Sequence, residues 1–382
     1  MRFFPLILKN CWRNRRRTLL TVASIGVSMC LLGVMIAMFH ALYLSDATPE
    51  QALRLVTRNR VSLTFTIPES YGSRIKQVPG VRDYLIEDWF GGTYIDQQHF
   101  FAHFAVDTDK LFTIYPEFKI PEDQRRAFER ERTACVVGRD LVDKYHFKLG
   151  DKIHLVGDIY PGDFEFTVRG IFDSPLPSQA MYISREYLEQ SLPERRRGEA
   201  GTFVILLDSP DSATRVADTI DSEFHNSTAQ TKTESEQAYL LSFASMLGNV
   251  KVFLIGISAA VMFTILLVSA NTMAMSVRER VREVGVLKTL GFTPATILSL
   301  IVGEAVAISL VGGGVGLLLS MMLTSGVGKS PVGMFLPSVP VFQPAVAAAC
   351  VSTAGAIGLI SALVPAVGAS RMSIVAALRS TD

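Results

Sequence analysis

Long apolar stretches alternate with charged ones along this chain, and the alternation sets its plan. Leu19–Leu44 contains no Asp, Glu, Lys or Arg and is long enough to cross roughly 30 Å of hydrocarbon. Val252–Met275 has the same character. A third apolar run extends from about Pro294 to Val327, interrupted only by Glu304, and a fourth lies within the uncharged stretch Ser330–Ser370. Pro331, Pro337, Pro340 and Pro344 punctuate the start of that stretch, so its helix is expected at about 342–367. The pattern predicts four transmembrane helices, at 18–44, 251–275, 294–325 and 342–367.

Between the first two spans the texture changes to that of a water-soluble α+β domain over 45–248. Val61–Ile67 reads as a strand, Pro68–Val78 as a helix, and Pro79-Gly80 turns the chain into a further run from Val81. A second unit of this kind follows late: a strand at Thr202–Leu207, N-cap residues at Ser209–Asp211, and helical spacing over Ala213–Phe224. These βαβ-type pieces (about 50–110 and 200–233) flank an inserted β-rich lobe (about 111–199) with short strands at Thr133–Val137, Lys152–Val156 and Glu165–Val168. From Glu234 to Val250 a helical pattern runs straight into the second span as a stalk.

Charge then orients the spans. Arg2, Lys9, Arg13, Arg15, Arg16 and Arg17 precede the first span, and the first acidic residue of the chain is Asp46. Arg278, Arg280, Arg282 and Lys288 lie between spans two and three, and Arg371 and Arg379 follow span four. The excess of basic residues puts both termini and the 276–293 loop in the cytoplasm, and 45–248 outside. The first apolar run is too long for an ordinary signal-peptide core. Phe3–Trp12, apolar with a basic end, reads as a cytoplasmic interfacial helix within 1–17. The net charge of +1 and mean hydropathy of +0.30 say nothing about nucleic acid by themselves; the charge distribution points to a membrane, and no nucleic-acid partner is expected. Of four cysteines only Cys135 lies in the outer domain, so no internal disulfide holds it. At roughly 200 residues it is large enough to bury its own core.

The loop helix at Ser276–Gly291 is the most informative segment. Val277, Val281 and Val284 fall on one helical face and Arg278, Glu279, Arg282 and Glu283 broadly on the other. Glutamates between the arginines weaken attraction to anionic lipid, so this face suits a protein partner. Glu304 is the acid inside a span, a residue that is costly in hydrocarbon; its expected partner is a basic residue of the cytoplasmic rim such as those at 13–17. Asn271 is a second polar residue within a span. Gly312, Gly313, Gly314 and Gly316 permit close helix packing, within the chain or in a dimer.

Other candidate chemistry is weaker. Gly328-Lys329-Ser330 has Leu323 where a phosphate-binding loop needs glycine, so the chain is not expected to hydrolyse ATP. His99 and His103, read on one strand, would stand roughly 13 Å apart, too far to share a metal ion. No metal, cofactor or catalytic constellation is expected.

The segment Glu279-Arg-Val-Arg-Glu-Val-Gly-Val-Leu-Lys-Thr-Leu-Gly291 resembles the E-R-x-R-E-I-G-x-x-K-x-L-G motif of the FtsX-like, MacB-type permeases of ABC transporters. Glu304 with its glycines, Val137-Gly-Arg-Asp-Leu, Leu149-Gly-Asp-Lys-Ile153, Val168-Arg-Gly-Ile-Phe172 and the tail Pro365–Arg379 also resemble that family; Ser373 stands where a proline is usual. The resemblance implies a bacterial inner-membrane permease that pairs with a second copy or a sister permease. It implies a cytoplasmic ABC ATPase dimer holding ATP and Mg, with a periplasmic adaptor or lipoprotein as a further class of partner. Glu279, Arg280, Arg282, Glu283, Gly285, Lys288 and Gly291 would then form the ATPase-coupling helix, with charge contacts from Arg280, Glu283 and Lys288. The implied work is export or extraction of a lipoprotein, lipid, peptide or drug by mechanotransmission. Signalling to a periplasmic cell-wall hydrolase is the alternative.

Overall fold

The first apolar run forms helix α1 (Arg15–Tyr43) in the computed structural model, which describes residues 15–43, 48–96, 99–175, 178–246, 249–327 and 344–379. The expected interfacial helix and Gly328-Lys329-Ser330 lie outside these residues. The chain then enters the outer domain through β1 (Arg54–Asn59), β2 (Ile67–Pro68), α2 (Tyr71–Ile75), β3 (Val81–Trp89), β4 (Gly92–Thr93) and β5 (Ala102–Val106). The middle segment supplies α3 (Leu111–Ile114), α4 (Glu122–Arg130), β6 (Ala134–Gly138), α5 (Arg139–Tyr145), β7 (Lys152–Gly157) and β8 (Gly162–Phe172). It continues through β9 (Ala180–Ser184), α6 (Arg185–Ser191) and β10 (Glu199–Ala200). Strand β11 (Thr202–Leu207), helix α7 (Ala213–Glu223), strand β12 (Thr231–Ser235) and helix α8 (Glu236–Met246) complete the domain.

Strand β1 pairs antiparallel with both β11 and β12, and β11 pairs antiparallel with β3. The two units β1–α2–β3 and β11–α7–β12 therefore interleave, in the manner of a split βαβ motif. The expected inserted β-rich segment is present as β6–β9. Its strands continue the same ten-stranded sheet, in the order β12-β1-β11-β3-β5-β9-β6-β8-β7-β4. Neighbouring residues of β3 face opposite sides: Ile86 joins the core under α2 and α7 with Ile75, Val216 and Ile220, while Leu85 joins Leu111, Ile114 and Phe128 from α3 and α4.

Several sequence readings need correcting. Asn59 Oδ1 accepts from Val61 N at 2.9 Å and its Nδ2 donates to Thr66 O at 3.2 Å. This side-chain-stabilised turn ends β1, so the strand precedes 61–67 and only Ile67 of that run is in a strand, as the first residue of β2. The helix expected over 68–78 is confined to Tyr71–Ile75, and His99 precedes the strand that holds His103. The stalk is also shorter than expected: Glu234 and Ser235 finish β12, and helix begins at Glu236.

Four further helices follow: α9 (Val250–Glu279), α10 (Val281–Thr289), α11 (Pro294–Val327) and α12 (Pro344–Arg371), with the short α13 (Ile374–Arg379) at the end. Asn249, at φ −78° and ψ 73°, is non-helical and caps α9 through its side chain, which accepts from Val252 N at 3.2 Å. The stalk helix α8 and span two are thus separate helices. Among the described residues four helices are long and apolar enough to cross a membrane, at Thr18–His40, Lys251–Glu279, Pro294–Thr324 and Pro344–Arg371. The protein is a multi-pass α-helical membrane protein with an α+β domain between its first and second spans.

Candidate coupling site

Glycines let three of the spans approach closely. A Cβ on Gly316 would stand 2.6 Å from Met29 Cβ and 2.7 Å from the Gly26 carbonyl, and one on Gly312 2.7 Å from Ile25. A Cβ on Gly313 would meet Ala354 of α12 at 2.6 Å, whereas Gly314 has open space. Gly312 and Gly316 therefore serve packing of α11 on α1 within the chain. Along the same bundle Ile25, Met29, Leu32, Ile265, Cys350 and Ile357 form the apolar centre.

The charged segment after α9 does not form one helix. Ser276–Glu279 are the last turn of α9, and Arg280, at φ −109° and ψ 12°, breaks the helix before α10 begins. Val284 and Gly285 of α10 are buried, and the helix packs against α13. Arg278, Glu279, Arg282 and Glu283 are exposed. The far end closes with a Schellman motif: Phe292 N donates to Leu287 O at 3.1 Å and Gly291 N to Lys288 O at 3.1 Å. Gly291 supplies the left-handed φ of +88° that this ending requires. Thr293 Oγ1 then accepts from Thr296 N at 3.2 Å in the first turn of α11.

Two of the expected partner-facing charges turn inward. Arg280 Nη1 lies 2.6 Å from Glu304 Oε2, with the two side chains 18% and 8% exposed. Arg280 thus takes the place expected of the basic residues at 13–17. Lys288 Nζ donates to the carbonyl of Met372, between α12 and α13. Asn271, by contrast, is exposed on α9 and lies apart from this pairing.

A second cluster, unforeseen from the sequence, lies in the outer domain. Arg54 bonds Glu117 Oε1 at 2.6 Å and Glu236 Oε2 at 2.6 Å, and Arg58 bonds Glu234 at 2.8 Å. Burial works against the Arg54 charge, but Glu236 and Glu117 outweigh it and hold the guanidinium above its ordinary value. Beside them Glu87 is pushed up to about 8, by burial first and then by the Glu236 charge. The available sequence signal was a pair of arginines within a strand opposite the acid pair Glu234 and Glu236. Elsewhere, His99 bonds Asp96 at 2.7 Å, while His103 is fully buried beside Phe90 and Phe101. Among the described residues no His, Cys, Asp or Glu cluster could hold a metal ion.

Two family models match the chain: the MacB-like periplasmic core domain over residues 18–223 and the FtsX-like permease C-terminal region over residues 255–374. The chain belongs to the FtsX-like, MacB-type permeases of ABC transporters. An uncharacterised ABC transporter permease of Methanocaldococcus jannaschii is 25% identical over 340 residues, which cover 82% of each protein. The macrolide export ATP-binding/permease protein MacB of Acinetobacter baylyi is 35% identical over 108 residues, 28% of this permease and 16% of that protein. The crystal structure of the periplasmic region of MacB from Actinobacillus actinomycetemcomitans aligns at 8% identity and a TM-score of 0.35, covering 50% of this permease and 92% of that chain.

Proposed function

We propose that this permease couples a separate cytoplasmic ABC ATPase to movement of its outer domain. The ATPase binds as a dimer, holds ATP and Mg, and docks on α10. The permease sits in a bacterial inner membrane with both termini cytoplasmic, paired with a second copy or a sister permease. Closure of the ATPases on nucleotide shifts α10, and the shift passes through the spans to the stalk α8 and the outer domain. There it exports or extracts a substrate handled outside the membrane, such as a lipoprotein, lipid, peptide or drug. A periplasmic adaptor or lipoprotein is the expected further partner.

The observation that supports this reading is α10 itself, a short helix bounded by a break at Arg280 and a glycine cap at Gly291, with charge on its exposed face. Such a rigid block at the end of a span passes on displacement better than a flexible loop does. Affinity capture from native membranes in mild detergent tests it. A Walker-motif ATPase is expected to co-purify and to be lost in Glu283→Arg. Recovery of the chain without any ATPase would overturn the proposal.

A further inference from the structure

The two inward-turned basic residues of the coupling segment do different work from the outward ones. Glu304 lies ten residues into α11, about 15 Å along a helix rising 1.5 Å per residue. Since Arg280 bonds it at 2.6 Å, the break between α9 and α10 lies within side-chain reach of Glu304. The α10 segment therefore begins alongside α11 rather than beyond its end. The length of α11 agrees with this: its 34 residues span about 51 Å, well beyond a hydrocarbon layer of about 30 Å. That excess length allows the first turns of α11 to stand outside the hydrocarbon beside α10.

An acid at this depth is costly unless paired, and a guanidinium that leaves it strands a buried charge. Arg280 is thus held to α11. At the other end of α10, Lys288 is held to the corner between α12 and α13 through the Met372 carbonyl. Between these two attachments the buried face of Val284 and Gly285 lies inward.

We infer that Arg280 and Lys288 are positioning residues that brace the coupling helix to the third and fourth spans, and that the ATPase reads the exposed set Arg278, Glu279, Arg282, Glu283 and Val286. This rests on the coupling role proposed for α10 and assigns its route. A push on α10 reaches α11 through Arg280–Glu304 and α12 through Lys288–Met372, besides the direct connection to α9. Charge contact with the ATPase is left to the outward residues.

The test combines a readout that needs the ATPase with one that does not. Arg280→Glu, Glu304→Arg and the double exchange are purified in nanodiscs, with the ABC ATPase recovered beside the parent chain. Each single variant is expected to capture ATPase within twofold of the parent, to lose its stimulation at least tenfold, and to be cut by trypsin after Arg282 at least tenfold faster. The double exchange is expected to restore stimulation and protection. Loss of capture in Arg280→Glu, matching that in Arg282→Glu, would overturn the assignment, as would a folded double exchange that restores neither. If the exchanged pair does not fold, Arg280→Gln with Glu304→Gln should be cut more slowly than either single Gln variant, and equal or faster cutting would overturn the brace. Should the parent chain capture no ATPase, the coupling reading falls, and trypsin protection alone decides whether the brace exists.

Discussion

Arg54 Nε lies 2.6 Å from Glu236 Oε2, joining the first residue of β1 to the first residue of α8. These are the strand by which the chain enters the outer domain and the helix by which it leaves. Arg58 and Glu234, at 2.8 Å, add a second ion pair four residues further along β1, to the adjacent strand β12 that leads into α8. Entry and exit are therefore fastened to each other inside the domain.

Removing the guanidinium leaves Glu117 and Glu236 without their counter-charge. Arg54→Met is expected to lower the stability of the outer domain by about 3–5 kcal/mol, the usual cost of stranding a buried ion. Replacing all three residues together, as Arg54→Met, Glu117→Gln and Glu236→Gln, should recover most of that loss. Urea unfolding of the purified chain, followed through Trp89 fluorescence, checks both; equal losses in the single and triple variants would contradict the ion-pair account.

Glu87 gives this cluster a pH dependence. Its folded pKa is raised to about 8 from 4.5, by burial and then by the Glu236 charge, with the Tyr115 hydrogen bond and Arg54 acting against the rise. A carboxyl that holds its proton more tightly when folded stabilises the fold below its unfolded pKa. That contribution is lost as pH rises from about 4.5 through 8. The parent should therefore lose stability relative to Glu87→Gln between pH 5 and pH 9, and a constant difference across that range would refute the prediction.

His103 is buried with neither ring nitrogen hydrogen-bonded, and burial lowers its pKa to about 3. It remains neutral at any physiological pH and carries two unsatisfied polar atoms in an aromatic core. His103→Leu should raise stability by about 1 kcal/mol, because an unpaired buried polar group costs roughly 1–3 kcal/mol and the change in packing offsets part of the gain. A lower melting temperature in the variant would show that His103 has a partner to lose.

The glycines of α11 offer a steric test. Gly316→Ala places a methyl group against backbone at 2.7 and 2.9 Å, whereas Gly314→Ala meets nothing within 4 Å. The first should destabilise the span bundle by about 1–3 kcal/mol and the second should be neutral. Thermal unfolding in detergent separates them, and equal behaviour would deny the close approach of α11 to α1.

The spans were legible because hydrocarbon demands long uncharged helices, a constraint strong enough to read from composition alone. The strand at Thr202–Leu207 was equally plain, with apolar and β-branched residues buried along its full length. The first strand was misplaced because Asn59 ends it by a side-chain turn, a local contact that outweighs the strand propensity of 61–67. The continuity of the sheet escaped notice because strand order depends on partners distant in sequence. At the coupling site the charged segment was visible, but its division into inward and outward residues was not. Arg280 and Arg282 are alike in sequence, and only the helix break and the position of Glu304 separate them.

The interleaved base also bears on how such a protein can change. Glu87, near the end of β3, and Thr202, at the start of β11, are neighbours in the sheet, joined by a 2.9 Å bond from Thr202 Oγ1 to the Glu87 carbonyl. Everything from residue 90 to 201 therefore departs from and returns to one place, like a branch grafted on a stem. Changes at the far end of that branch leave the junction intact as long as Val106 stays paired with Glu87 and Glu117 with Arg54. A lineage can thus alter what the outer domain meets while inheriting the stem unchanged.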